Sequence, residues 1–296
     1  MNPTKPFFSI VIPTYNRASF LEVNIPLLLN LKYEFYELIV VDDGSTDNTE
    51  ALLNSIKDTK LHYYKKLNAE RAAARNYGAV RAKGNYITFL DSDDILFNDA
   101  LEKAANVIQD YNEPYFLHLG YEIGSSTKVN KTINGIKDND VTIFIQGNPL
   151  SCMGVFLKKE IFQKHLFNED RELSASEDWE FWIRLAAHYG IRTNDHIIGR
   201  LIEHDSRSVI KANEEKLVQR KNLAMKYAFE DEAVKRVFGT YKKSIASYWD
   251  TYISLHLAID GLKSRASHHL INGLKNDFRC LFTKRGIVIL KLLLLS

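Results

Sequence analysis

The chain has 296 residues, with 39 lysines and arginines against 37 aspartates and glutamates, so its formal net charge is +2. A hydrophobic fraction of 45% with 26% charged residues is typical of a globular protein, which excludes a disordered chain, a collagen and a polytopic membrane protein. The near-neutral charge argues against a generic nucleic-acid binder, which usually has a strongly basic face. The length allows one large domain or two smaller ones.

The charge is unevenly distributed along the chain. Residues 261–296 contain seven basic residues and one acid, Asp277, which leaves a net charge of −4 for residues 1–260. The apolar run 286–296 is far shorter than the ~20 residues that span a bilayer. This tail has two readings: a basic amphipathic helix that lies on anionic lipid, or a helix that packs on the rest of the chain with its charges solvated.

The two cysteines, Cys152 and Cys280, form neither a CxxC pair nor a disulfide framework. This favours a reducing compartment. The first residues lack the pattern of a signal peptide. We therefore expect a cytoplasmic protein, and the first reading of the tail would place it at the inner face of the membrane.

The first hundred residues alternate strands and helices. Short β-rich runs predict buried strands at 7–12 (ended by Pro13) and 37–41, a third, shorter strand at 61–64 and a fourth strand at 86–90. The intervening segments predict helices at 19–31, from about 45–47 onward, and at 70–83. This alternation is typical of an α/β fold with a mostly parallel sheet and helices on both faces.

The remaining chain changes character twice. Residues 115–170 predict mixed strands and loops, and 174–190 predict a helix that begins near Ser176 and turns Trp179, Trp182, Ile183 and Ala186 inward. From about Lys211 the pattern is helical only. We therefore predict an α/β domain over 1–208 and a helical C-terminal extension over 209–296.

Polar clusters follow three of the predicted strands, at 14–17, 42–43 and 91–93. In open parallel sheets, ligands bind beyond the carboxyl ends of the strands. We expect these clusters to meet at one crevice.

Two of these clusters have the composition of a ligand site. Asp91 and Asp93 can both reach one hard divalent cation, which is typically held by few carboxylates and by substrate phosphates; the alternative is a solvated turn with Asp94 as a helix cap. A carboxylate of the cluster at 42–43 can accept hydrogen bonds from a base or a ribose; the alternative is a turn followed by a helix cap.

The order of the motifs at 13–17, 40–47, 74–78 and 84–94 resembles the family-2 glycosyltransferases of the GT-A fold. The resemblance covers about the first 100 residues, and the ordered set is far more specific than any one motif. The pair Glu177-Asp178 and the Arg200…His204 group resemble later, weaker family motifs. The Q-x-x-R-W motif of the processive polysaccharide synthases is missing, so the resemblance is to non-processive bacterial members.

The resemblance implies a binding site for a nucleotide diphosphate sugar, usually a UDP-sugar. Tyr15 would flank the base and Asp43 would hydrogen-bond it. Arg75 would lie near the diphosphate or the ribose; its alternative is an ion pair with a carboxylate such as Asp43 or Asp91. The donor-binding residues implied are Pro13, Thr14, Tyr15, Arg17, Asp43, Arg75, Asp91 and Ser92.

The resemblance also implies a cation and a catalytic base. Mn²⁺ or Mg²⁺ would be held by Asp93 with Asp91 and His204, and would neutralise charge on the leaving diphosphate; the alternative for His204 is a polar loop residue. Asp178 would be the base that takes the acceptor hydroxyl proton, oriented by Glu177. Taken alone, these two acids also suit the N-terminal end of a helix dipole.

These observations predict an inverting glycosyltransferase that moves a sugar to a hydroxyl acceptor during assembly of a bacterial surface polysaccharide or lipid-linked glycan. One alternative is a non-catalytic nucleotide-sugar binding protein. Another is a nucleotidyltransferase, which needs a glycine-rich loop after the first strand. The residues at that position, 13–17, are not glycine-rich, which disfavours this alternative. One position departs from the family pattern: two residues after Asn68, where the family usually has glycine, the chain has Glu70.

Overall fold

The computed structural model describes residues 5–134, 136–203 and 213–294. The chain divides into two compact units. The first, the sheet unit, comprises Met1–Asp140, Leu150–Ser174 and Tyr189–Arg207. The second, the helical unit, comprises Val141–Pro149, Ala175–His188 and Ser208–Ser296.

The described part of the sheet unit contains one mixed sheet, in the order β3-β2-β1-β4-β8-β6-β9-β5, with β7 paired to β6. The strands β1 to β4, which carry the predicted site, are parallel to one another, whereas β8 is antiparallel to both β4 and β6. The bounds are β1 Phe8–Thr14, β2 Tyr36–Asp42, β3 Leu61–Lys65, β4 Tyr86–Phe89, β5 Ile95–Leu96, β6 Phe116–Gly124, β7 Val129–Ile133, β8 Val155–Lys158 and β9 Arg192–Ile202.

Helices cover both faces of the first strands. The helices of this unit are α1 Ala18–Leu29, α2 Thr49–Ser55, α3 Glu70–Arg81 and α4 Ala100–Asp110. Phe8, Ile10 and Ile12 share one buried cluster with side chains of α1 and α4. Because side chains alternate along a strand, Val11 lies on the opposite face. There it meets α3, where a Cβ atom added at Gly78 would clash with Val11 Cγ1.

Strand β1 runs through Pro13 to Thr14, so the prediction that Pro13 ends this strand was wrong. The pairing with β4 ends at Val11, and beyond that point β1 pairs only with β2. Proline lacks a backbone N–H and is accepted where a ladder bond is not required. The chain order also reverses here, since β2 and β3 lie on one side of β1 and β4 on the other. Such a reversal leaves a crevice at the carboxyl edge.

The helical unit contains most of α5 Glu177–Tyr189, followed by α6 Glu214–Glu230, α7 Glu232–Phe238, α8 Lys242–Ile259, α9 Lys263–Asn276 and α10 Lys284–Leu294. Residues 213–294 contain no strand, which confirms the helical prediction. The four residues predicted to turn inward on α5 are all buried. Trp179 donates its indole N–H to Phe144 O at 3.1 Å, so its ring is part of a core. Within the described ranges, no helix has both the length and the hydropathy required to cross a bilayer.

Candidate functional site

The loops after β1 and β2 are joined to each other at the carboxyl edge of the sheet. Asp43 N donates to Thr14 O at 2.8 Å. Asn16, at φ +51°, donates its N–H to Ser45 Oγ and accepts from Thr46 N, both at 2.8 Å. Asn16 therefore fixes the first polar cluster against the second.

Asp47 lies just before α2 and also contacts the first residue of α1. Its Oδ1 accepts from Thr49 N at 3.1 Å and its Oδ2 accepts from Ala18 N at 3.0 Å. The helix itself starts at Thr49, slightly later than the sequence predicted. Burial raises the pKa of Asp47, but these bonds and one from the Thr49 hydroxyl outweigh it and hold that pKa below its ordinary value.

Asp43 is buried and anchors the segment before α3. Its Oδ1 accepts from Lys66 Nζ at 2.7 Å and from Ala69 N at 2.9 Å, and its Oδ2 accepts from Glu70 N at 2.8 Å. A carboxylate has about four acceptor positions, so these three bonds leave capacity for a ligand donor. The contact of Asp43 with a base stays a prediction.

Glu70 has a left-handed backbone, with φ +73°. This conformation costs a residue with a side chain about 1–2 kcal/mol, whereas glycine adopts it freely. The departure from the family pattern therefore falls at a position where the backbone itself favours glycine.

Arg75 is buried in α3 and pairs with Asp91. Its Nη2 lies 2.9 Å from Asp91 Oδ1, and its guanidinium lies 5.5 Å from the ring centroid of Phe167. The structure therefore contains the ion pair that the sequence offered as an alternative. A donor contact by Arg75 stays a prediction.

The loop after β4 is fixed from two sides. Asn24, on α1, donates its amide to Ser92 O at 2.8 Å and to Asp94 O at 3.2 Å. Asp94 Oδ1 accepts from Ile202 N, at the end of β9, at 3.0 Å. The element that follows is β5, so the alternative of Asp94 as a helix cap was wrong.

The two predicted cation ligands on this loop remain accessible. The side chains of Asp91 and Asp93 are 31% and 15% exposed, and Arg17 Nη1 lies 3.9 Å from Asp93 Oδ2. Two carboxylates beside an open crevice fit a hard cation that takes its other ligands from substrate phosphates and water. Among the described residues, no three or more metal-ligating side chains cluster, and His204 lies outside those residues.

The other donor-site candidates lie at the end of β1. Pro13 and Thr14 are buried, and the Thr14 hydroxyl has no hydrogen-bond partner among the described residues. The side chain of Tyr15 is 49% exposed. The sheet unit thus brings eight of the predicted donor and cation residues to its carboxyl edge, and Arg75 reaches that edge through Asp91.

Glu177 and Asp178 lie in the helical unit, at the first turn of α5. Asp178 Oδ1 accepts from Trp179 N and Oδ2 accepts from Asn148 Nδ2, both at 2.8 Å. Glu177 is buried, whereas Asp178 is half-buried.

Sequence reasoning missed the residues that hold the loops. Asn24, Asn16 and Lys66 were not predicted as ligands, yet they position the clusters that carry the predicted ligands. Asn24 carried a signal, because it is a polar residue on the buried side of an otherwise apolar helix face.

The family model for "Glycosyl transferase family 2" matches residues 9–166, which is more than half of the chain. An uncharacterised glycosyltransferase of Haemophilus influenzae is 36% identical over 185 residues, covering 60% of this chain and 71% of that protein. The GalNAc(5)-diNAcBac-PP-undecaprenol beta-1,3-glucosyltransferase of Campylobacter jejuni is 26% identical over 82% of this chain and 81% of that protein. The resemblance predicted from the motifs is confirmed.

Some relatives are much longer than this chain. An uncharacterised glycosyltransferase of Rickettsia bellii is 34% identical over 60% of this chain, but the match spans only 26% of that protein.

Two solved structures share the fold. Staphylococcus aureus TarS 1-349 in complex with UDP-GlcNAc has a TM-score of 0.61 at 16% identity, over 91% of this chain and 89% of that one. The mannosyltransferase PcManGT of Pyrobaculum calidifontis in complex with GDP-Man and Mn²⁺ has a TM-score of 0.63 at 16% identity, over 98% of this chain and 86% of that one. The predicted GT-A fold is confirmed.

Proposed function

The chain belongs to glycosyl transferase family 2, and on that premise we propose that it transfers a sugar from a nucleotide diphosphate sugar, UDP-linked, to a hydroxyl acceptor with inversion. The observation that carries the proposal is the convergence of three polar loops where the chain order reverses between β1 and β4. A dinucleotide or triphosphate site would require a glycine-rich loop after β1. Residues 13–17, which occupy that position in this chain, contain no glycine.

The donor would lie along the carboxyl edge. The exposed ring of Tyr15 suits one face of a planar base. Asp43 keeps acceptor capacity for a base imide or a ribose hydroxyl. Asp91, held by Arg75, suits a ribose hydroxyl, and Arg17 lies where a diphosphate would replace Asp93 as its partner.

Asp93, with Asp91 and His204, would hold Mn²⁺ or Mg²⁺. A divalent cation supplies charge neutralisation for the diphosphate as the glycosidic bond breaks. The mannosyltransferase with the same fold was solved with Mn²⁺. Asn24 supports this role, because its amide holds the backbone of the loop that carries both carboxylates.

Asp178 would take the proton of the acceptor hydroxyl as that oxygen attacks the anomeric carbon. The diphosphate would leave from the opposite face, which inverts the configuration. The N–H of Trp179 and the amide of Asn148 hold the two carboxylate oxygens in place. Glu177 would orient the same turn of α5.

We place the reaction in the cytoplasm of a bacterium, in the assembly of a surface polysaccharide or of a lipid-linked glycan. The Campylobacter relative is named for an undecaprenol-linked acceptor, and its match extends over most of both chains. A lipid-linked acceptor would be presented at the inner face of the membrane.

A panel of nucleotide sugars tests the donor assignment. A ligand that binds only the folded state of a protein raises the melting temperature of that protein. We expect stabilisation by one UDP-sugar with Mn²⁺, and less without the cation. If none of the UDP-, GDP-, dTDP- and CMP-sugars shifts the transition, the proposed donor site is wrong.

An assay of Asp178→Asn tests the catalytic step. The substitution keeps the shape of the side chain but cannot take a proton at neutral pH. Transfer should fall by a factor on the order of 10²–10⁴ while donor affinity is kept. Transfer at the wild-type rate would remove Asp178 as the base. Donor binding without transfer by the wild type to any hydroxyl acceptor would favour a binding protein.

A further inference from the structure

The outward side of α10 carries apolar side chains that the core does not use. The helix buries Gly286 and Ile289, and Leu292 and Leu293 pack against a core cluster of the helical unit. At 100° per residue, Lys284, Ile287, Val288, Lys291 and Leu294 lie on the opposite side. All five are exposed. The helix is therefore apolar on two sides, and its second apolar side faces solvent.

The turn before α10 continues this surface. Phe278 and Phe282 belong to a single 3-10 turn and are 68% and 78% exposed. Two phenylalanines this exposed in one turn are unusual on a soluble surface, where apolar residues are normally scattered. We call the whole surface the C-terminal patch, and it comprises Phe278, Phe282, Lys284, Ile287, Val288, Lys291 and Leu294.

The charged residues around the patch are mostly basic, and three of them are exposed without an ion-pair partner among the described residues. Segment 275–291 contains five basic residues and one acid. The acid, Asp277, is held by Arg279, whose guanidinium lowers the pKa of that carboxyl well below its ordinary value. In the part of the chain that the structure describes, Lys275, Lys284 and Lys291 form no ion pair, and all three are exposed. Their charge is directed at solvent beside the apolar side chains.

We propose that the C-terminal patch docks the chain on an anionic phospholipid surface. Apolar side chains enter the boundary between headgroups and acyl chains, and lysines at the same level meet the lipid phosphates. A second copy of the chain would fit less well, because a symmetric contact places Lys284 and Lys291 of both copies together. The docking is independent of sugar transfer, so either proposal can fail alone.

Sedimentation of vesicles with the full chain tests the proposal. The protein should pellet with phosphatidylcholine vesicles that contain phosphatidylglycerol, and less with phosphatidylcholine alone. Added NaCl should release it, because salt screens the lipid charge. A wild-type protein that stays in the supernatant with both vesicles overturns the proposal.

Substitutions assign the binding to the patch. Phe278→Ser with Phe282→Ser should weaken partitioning at least about tenfold, and Lys284→Gln with Lys291→Gln by about tenfold or more. Leu27→Ser with Val80→Ser is the matched control, since both residues are exposed and apolar on other helices. Equal binding by all variants, with unchanged melting temperatures, overturns the assignment.

Sedimentation velocity without lipid tests whether a second copy of the chain covers the C-terminal patch instead. The wild-type chain should be the same size as the Phe278→Ser, Phe282→Ser variant. The proposal would be overturned if the wild type formed a dimer, the variant were a monomer, and the wild type did not bind vesicles. The patch would then be a protein interface.

Discussion

At the scale of single residues, the backbone angle at Glu70 accounts for the glycine of the family pattern. The family usually has glycine there, and the chain adopts φ +73° without it. Glu70 N still donates to Asp43, so the turn is kept despite the strain.

Glu70→Gly should therefore be more stable than Glu70→Ala by about 1 kcal/mol in urea unfolding. The alanine variant is the proper reference, because both substitutions remove the same acidic group from the first turn of α3. Equal unfolding free energies for the two variants would mean that the left-handed backbone stores no strain.

The buried guanidinium of Arg75 predicts a second effect on stability. Removing one partner of a pair leaves the other charge without compensation. Arg75→Met keeps much of the volume but removes the bond to Asp91, and it should cost about 2 kcal/mol of unfolding free energy, since Asp91 is partly hydrated. Asp91→Asn should cost a similar amount, and the double variant should cost less than the two singles together. Additive losses would contradict the pairing.

His118 predicts a dependence of stability on pH. It is buried on β6, beside the ring of Tyr121 at 6.0 Å, and burial lowers its pKa to about 3. The unfolded chain binds a proton at this residue near pH 6.5, whereas the folded chain does not. Stability due to His118 is therefore full above pH 6.5 and is lost as pH falls toward 3, by at most about 1.4 kcal/mol per pH unit.

The comparison of wild type with His118→Gln in urea between pH 7 and pH 4.5 isolates this contribution. The substitution should flatten the loss of unfolding free energy toward acid pH. Identical slopes for the two proteins would show that His118 does not titrate differently on unfolding.

At the scale of elements, the loop after β4 depends on a residue from another helix. Asn24→Ala leaves two backbone carbonyls without their donor and should cost about 1–3 kcal/mol. Asn30→Ala is the matched control: Asn30 also donates its amide to a carbonyl, that of Pro26, but in an exposed position. Its loss should cost at most about 1 kcal/mol, and equal costs would contradict a special role for Asn24.

The early elements were predictable because their patterns are regular. Strands β1, β2 and β4 are short buried apolar runs, β3 is half-buried, and the residues at the strand ends predicted the crevice before the topology was known. Strand β9 was not predicted, since it begins with polar residues and shifts register against β6. The prediction that Pro13 ends β1 was wrong because the sequence does not show which strands pair beside it. In the structure the pairing with β4 ends at Val11, so no ladder bond to β4 is required at Pro13.

At the scale of the whole molecule, the distribution of charge is more informative than its sum. The carboxylates Asp43, Asp91 and Asp93 converge in the sheet unit, where a cation and a polyanionic donor would balance them. The basic residues near the end of the chain surround an apolar patch of the helical unit. Composition identified both groups, but long-range contacts such as those of Asn24 and Asn148 required the structure.

The central claim is that a nucleotide diphosphate binds at the carboxyl edge with a cation held by Asp93. Calorimetric titration of UDP, with and without Mn²⁺, into wild type and Asp93→Ala tests it most directly. We predict that Mn²⁺ strengthens UDP binding by the wild type and that Asp93→Ala loses this gain. Mn²⁺-dependent binding of equal strength in both proteins would contradict the claim.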